Sequence, residues 1–120
     1  MAKSTDKPME KEFTSVVVRD KNGTPFTLEF NRRGVEAMER GGFKFDMDAA
    51  PQTSIRDLFR GAFRMHHRGI TPERVDEIWE VQKNKEGLVP VLYRLYLQPL
   101  NDLMAEPEGT GDENPTWETI

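Results

Sequence analysis

Two short runs with β-strand character occupy the first third of the chain. They are FTSVVVRD (residues 13–20) and TPFTLEF (residues 24–30), and the second alternates apolar and polar positions. Between them lies Lys21-Asn22-Gly23, and Asn and Gly tolerate the positive φ angles that tight hairpin turns require. The pattern predicts a β-hairpin over residues 13–30. Because a lone hairpin is marginal in water, its apolar face must lie on other elements.

Helical periodicity follows the hairpin. Asn31 is a predicted N-cap of the first helix and Gly41-Gly42 its stop, while Thr71 caps the third helix and Pro72 is its first residue. Repeats of apolar residues at helical spacing predict four helices, at residues 32–40, 52–68, 72–83 and 88–104.

The second of these helices has the most regular pattern. Ser54 and Asp57 resemble a capping box near its start. A continuous apolar stripe then predicts its inner face, which we expect to consist of Ile55, Leu58, Phe59, Ala62, Phe63 and His66. On this pattern His66 packs in the core and His67 faces outward.

The elements predict an α+β fold, in which an N-terminal β-hairpin packs on a bundle of about four helices. Residues 1–12 are polar and charged and are expected to form a disordered leader. Residues 13–104 are expected to form a single globular domain. Residues 105–120 are acidic, contain Pro and Gly, and are expected to form a disordered tail.

The charge is unevenly distributed along the chain. The net charge is −4, yet residues 106–120 hold five acidic residues and no basic one. Residues 1–105 therefore hold 17 basic against 21 − 5 = 16 acidic residues, a net charge of +1. A nucleic-acid-binding domain is usually clearly basic, so we expect nucleic acid not to be the main partner.

The chain has no cysteine, which excludes disulfides and thiolate metal sites and indicates a reducing compartment. We expect neither a signal peptide nor a membrane span, because no long apolar run is present. No motif for a nucleophile, a phosphate loop or a zinc protease occurs, so we expect no enzyme, no catalytic residue and no cofactor. His66 and His67 are adjacent, which on a helix points them about 100° apart, so no metal site is predicted.

Four arginines recur at a spacing of four in the second helix: Arg56, Arg60, Arg64 and Arg68. One interpretation is a solvated face that is partly paired with Asp76, Glu77 and Glu80 of the next helix. The other is a docking strip for an acidic partner or for the chain's own acidic tail. Like charges at this spacing repel one another, which indicates an opposing charge nearby.

Two further features indicate protein binding. The apolar face of the fourth helix is wider than one interface needs, because Tyr93, Leu97 and Met104 extend it beyond the stripe that includes Leu100 and Leu103. We therefore predict self-association or partner binding through this helix. Trp117, in the acidic tail, is a candidate interface anchor, since Trp often has that role; the alternative is that the tail is only a linker.

Four segments resemble a family of tail assembly chaperones from long-tailed phages and prophages of Gram-positive bacteria. They are FTLEFNRRGVEAMERGGF (26–43), DLFRGAFRMHH (57–67), IWE (78–80) and LYRLY (92–96). The resemblance covers about residues 13–104, in the same order, and lies in the overall pattern rather than in a chemical signature.

The resemblance implies a role in virus assembly in the host bacterial cytoplasm. Such proteins hold the long, aggregation-prone tape measure protein while tail tube protein subunits polymerise around it, and they are absent from the mature virion. In many such phages a ribosomal frameshift produces a C-terminally extended form that acts with the short one. The alternative hypothesis is a small regulatory or nucleic-acid-binding adaptor that uses the arginines of the second helix.

Overall fold

The computed structural model describes residues 14–106 and 116–119. Within them, a two-stranded antiparallel hairpin precedes four helices, which confirms the predicted α+β fold. The strands and helices are β1 (Val16–Arg19), β2 (Pro25–Leu28), α1 (Arg32–Arg40), α2 (Pro51–Phe63), α3 (Pro72–Glu80) and α4 (Lys85–Met104). The predicted leader lies outside the described residues, as does most of the predicted tail.

The hairpin turn is organised by the side chain of Asp20. Its Oδ1 accepts hydrogen bonds from the backbone N–H groups of Asn22 and Thr24, both at 2.9 Å. Gly23 has a φ of +83°, which is the left-handed conformation expected of this turn. The strands then pair in register from Val16 with Leu28 to Arg19 with Pro25.

Helix α1 has the predicted bounds and caps. The Asn31 side chain accepts a hydrogen bond from the backbone N–H of Gly34 at 2.7 Å. At the other end Gly42 has a φ of +98°, and the backbone N–H of Phe43 returns to the Met38 carbonyl at 3.0 Å. This closing turn directs Phe43 back towards the core, where its ring contacts that of Tyr96.

Helix α2 differs from the prediction at both ends. The predicted capping box is wrong, because Ser54 is buried inside the helix and its Oγ accepts from the backbone N–H of Asp46 at 3.1 Å. The helix ends at Phe63 rather than at residue 68. The hairpin explains this end, because the backbone N–H of Glu29 bonds to the Ala62 carbonyl at 3.0 Å and satisfies a group that the helix would otherwise use.

The boundary between α3 and α4 also lies earlier than predicted. Helix α3 ends at Glu80, not at residue 83, and α4 begins at Lys85, not at residue 88. Asn84 takes a left-handed conformation with a φ of 57°, and its side chain caps the N–H of Gly87. Asn tolerates this conformation and caps helices well, so the break falls before it.

Helix α2 lies at the centre of the fold and packs against α3, α4 and β2, while α1 packs against α4. The largest fully buried side chains come mainly from α2 and α4, with one from the hairpin and one from α3; they are Leu28, Leu58, Phe59, Phe63, Ile78, Leu92 and Leu95. The predicted arrangement of a hairpin laid on helices is therefore the observed one.

Candidate interaction surfaces

A groove of about 820 Å³ runs between α1 and the C-terminal half of α2. Its apolar floor is formed by Phe30, Ala37, Met38, Phe43, Gly61 and Ile70. Gly61 lets the Met38 side chain of α1 lie directly on α2, because a Cβ at this position would be 2.7 Å from the Met38 Sδ. Polar and charged side chains surround this floor, so the groove suits a partner with both apolar and charged groups.

The arginines predicted as one stripe fall into two groups. Arg60 is paired, since its Nη2 lies 2.8 Å from the Asp76 Oδ2 in α3, and Arg56 approaches the same oxygen at 3.9 Å. These two side chains fit the interpretation of a face paired with the next helix, which included Asp76.

Arg64 and Arg68 instead lie beyond the end of α2, are exposed, and line the groove. Arg33 of α1 lines it too, although the sequence did not single this residue out. Within residues 14–106 and 116–119, none of these three side chains forms a hydrogen bond or an ion pair. The four predicted arginines are therefore not one helical stripe, because the helix stops before the last two.

The groove also holds two acidic residues, Glu29 and Asp57. Glu29 is already engaged, because its Oε1 lies 2.7 Å from the His66 Nε2. Among the charged residues that line the groove, arginines therefore outnumber acids by four to two. The groove is basic on balance, and its unpaired arginines are at the rim.

The prediction for the two histidines is reversed. His67 is the packed residue: its ring contacts those of Phe26 and Phe63, and its Nε2 accepts from the backbone N–H of Thr27 at 3.1 Å. His66 is exposed and reaches Glu29. The helical stripe does not extend to residue 66 because the chain turns at Arg64 to meet the hairpin.

Two of the residues predicted to form an exposed face on α4 lie inside the fold. Tyr93 is half-buried and stacks on Phe45 with ring centroids 4.6 Å apart, and Leu97 packs against the core. The Tyr93 contact comes from Phe45 in the loop after α1, which the helical pattern of α4 did not reveal. Neither side chain is available as the exposed patch that was predicted.

The exposed apolar patch lies instead at the C-terminal end of α4. Leu100, Leu103 and Met104 are 48%, 55% and 70% exposed. The prediction for Met104 as an exposed residue is thus confirmed, whereas the placement of Leu100 and Leu103 on the inner stripe was wrong. At 1.5 Å per residue, the 20 residues of α4 span about 30 Å and the 13 of α2 about 20 Å. Helix α4 is therefore longer than α2, the helix against which it packs.

A second, smaller hollow of about 330 Å³ lies beside this end of α4. Gln98, Pro99 and Asp102 line it on the α4 side. Glu29, Phe30 and Asn31 line both this hollow and the groove, so the two adjoin. Trp117, in the described part of the tail, is 70% exposed.

Tyr96 has the most strongly shifted pKa among the described residues. Burial and a 3.1 Å hydrogen bond from its hydroxyl to the Glu39 Oε2 raise the pKa of Tyr96 to about 12. Nothing in the described part of the chain gathers three or more His, Asp or Glu residues that could hold a metal ion. Nor is any described helix long and apolar enough to cross a membrane.

The chain belongs to a protein family. It matches the family described as Domain of unknown function (DUF5055) over residues 1–119, which is nearly the full sequence. Searches of curated proteins and of solved structures gave no match.

Proposed function

We propose that this chain is a tail assembly chaperone of a long-tailed phage or prophage, which binds the tape measure protein in the host bacterial cytoplasm and keeps it soluble. The observation that carries the proposal is the exposed apolar end of α4, formed by Leu100, Leu103 and Met104 and called here the α4 patch. Contiguous exposed apolar side chains commonly mark a site that another protein covers.

The spacing within the α4 patch suits a helical partner. Leu100, Leu103 and Met104 are at positions i, i+3 and i+4, so they share one face of the helix. A long amphipathic helix repeats apolar residues with the same period and packs against such a face by ridges and grooves. A tape measure protein, which is long and helical, offers many such segments to successive copies of a chaperone.

The four segments quoted above give the proposal its specific form, since they resemble the chaperone family in sequence and order. They lie in β2 and in all four helices, so they are distributed along the described fold. The resemblance also implies the tail tube protein and a C-terminally extended frameshift form as further partners.

Co-expression with the tape measure protein of the same genome tests this function. We expect the tape measure protein to become soluble and to co-purify with this chain. The triple variant Leu100→Ser, Leu103→Ser, Met104→Ser should lose both effects. The matched control changes three exposed apolar residues elsewhere to serine, Val17, Met47 and Val81, and should retain them. A tape measure protein that stays insoluble with the short and extended forms together would contradict the proposal.

The adaptor hypothesis has weaker support. Arg60 and Arg56 are paired with Asp76, so two of the four arginines are not free to bind phosphates. A salt-dependent shift of duplex DNA by the purified chain, lost on Arg64→Glu with Arg68→Glu, would favour it over the chaperone.

A further inference from the structure

The groove between α1 and α2 has the features of a peptide site. Its floor is apolar and its rim carries Arg33, Arg64 and Arg68, which form no hydrogen bond or ion pair with any described residue. The occupant that best matches this surface needs acidic side chains for the rim and at least one large apolar side chain for the floor.

The chain's own C-terminal segment has this composition. Residues 106–120 contain five acidic residues, no basic one, and Trp117, whose indole is a large apolar group that commonly anchors interfaces. Glu118 is next to Trp117, so a carboxylate can meet an arginine at the rim while the indole lies on the floor. The segment and the groove are therefore complementary in charge, and both offer apolar groups.

In this structure of a single chain, Trp117 is exposed and lies outside the groove. We therefore propose that residues 106–120 of one copy dock in the groove of a second copy, with Trp117 on the apolar floor and the acidic residues against Arg33, Arg64 and Arg68. The contact uses two different surfaces of the same chain. Such a contact can add copies in a row or a ring, or be exchanged reciprocally between the two copies of a dimer.

The contact has a clear physical basis. Burying an indole removes a large apolar area from water, which supplies the attraction. The ion pairs at the rim contribute less, but they orient the segment and speed association at low salt. The proposal concerns the groove and not the α4 patch, so it goes beyond the chaperone function and does not depend on it.

Because the chain has no cysteine, a spin label can be attached at one chosen site. The test mixes isotope-labelled wild-type chain with an unlabelled Thr119→Cys chain that carries a nitroxide at an exposed, uncharged position. Any line broadening in the labelled copy must then come from the tail of another copy. We expect selective broadening of backbone amides in the groove, at Gly41, Gly42 and Gly61, and no comparable effect at Val17 or Val81.

Two variants of the labelled copy test the chemistry. Arg64→Glu with Arg68→Glu should weaken the contact about tenfold at low salt, because attraction at the rim becomes repulsion. Lys21→Glu with Lys83→Glu makes the same change in net charge at two exposed residues outside the groove, and should leave the broadening unchanged. Adding Trp117→Ala to the spin-labelled copy should abolish the broadening in the groove of the labelled copy.

Three results would overturn the proposal. One is the absence of groove broadening in the mixed sample at millimolar concentration. Another is broadening only when the isotope and the spin label are on the same chain, which would place the tail in its own groove. The third is an equal loss of broadening in the arginine double variant and in the lysine control variant. None of these results bears on whether the tape measure protein is kept soluble, so failure here is distinct from failure of the proposed function.

Discussion

Asp20 in the hairpin turn and Arg74 in α3 form a salt bridge between groups 54 residues apart in sequence. The Asp20 side chain is only 2% exposed, and its other oxygen accepts the two N–H groups that shape the turn. The Arg74 guanidinium also lies over the Phe26 ring, 5.8 Å from its centroid. This one pair therefore connects the turn, β2 and α3.

Removing either partner should destabilise the fold. We expect Asp20→Ala to lower the urea midpoint more than Asp20→Asn, because asparagine keeps an acceptor for the turn while losing the charge. Arg74→Ala should leave a buried carboxylate without its cation and also lower the midpoint. Equilibrium unfolding of the two alanine variants and the double variant gives the coupling between them. Strictly additive effects would show that the pair is not energetically linked.

The same pair should make stability depend on pH in the acid range. Burial alone would raise the pKa of Asp20, but the Thr24 N–H, Arg74 and the Asn22 N–H outweigh it and hold this pKa below the ordinary value of 3.8. The unfolded chain therefore binds the proton first as the pH falls. The stabilisation is full above the unfolded pKa and is lost as the pH falls through the lowered folded pKa. The melting temperatures of wild type and Asp20→Asn should converge as the pH falls through this window. Melting temperatures that stay equally far apart at every pH would contradict the prediction.

At the alkaline end, Tyr96 should titrate late. Its pKa of about 12 exceeds the ordinary 10, so the unfolded chain loses the phenolic proton first. Stability from this group is full below pH 10 and declines as the pH rises towards 12. In Tyr93→Phe, which leaves one tyrosine, absorbance at the phenolate band should follow Tyr96 alone. Adding Glu39→Gln should lower the pKa, because it removes a negative charge beside the hydroxyl; an unchanged value would contradict the role of Glu39.

The two histidines give a matched pair of substitutions. His67→Ala should cost about 1–3 kcal/mol of unfolding free energy, since it leaves the Thr27 N–H without its acceptor and removes a ring between Phe26 and Phe63. His66→Ala removes one exposed pair with Glu29 and should cost less than about 1 kcal/mol. Chemical denaturation measures both. If His66→Ala instead costs more than His67→Ala, the result would support the sequence pattern, which placed His66 in the core, and would contradict the observed contacts.

These cases show what the sequence could and could not predict. Local rules found the hairpin, the Asn31 cap and the Gly42 stop, because these features depend on neighbouring residues. They also found the Thr71 cap, whose side chain accepts a hydrogen bond from the backbone N–H of Arg74. The end of α2, the exchange of His66 and His67, and the burial of Tyr93 depend on contacts with distant segments. Asp20 and Arg74 carry no local signal of their pairing. Arg33 joins Arg64 and Arg68 only because α1 and the end of α2 border the same groove.

The buried middle and the exposed C-terminal end of α4 should respond to substitution by very different amounts. Leu92 is fully buried, so Leu92→Ala should cost about 2–5 kcal/mol in unfolding free energy through lost burial and the cavity that remains. The α4 patch faces solvent, so changing Leu100, Leu103 and Met104 to serine should change stability by at most about 1 kcal/mol.

Urea unfolding of both variants separates folding from binding. A stable triple variant that no longer keeps the tape measure protein soluble would assign the α4 patch to the partner, because the fold would be intact. If the triple variant loses several kcal/mol, the three side chains are covered within the protein itself, and the chaperone proposal loses its binding surface.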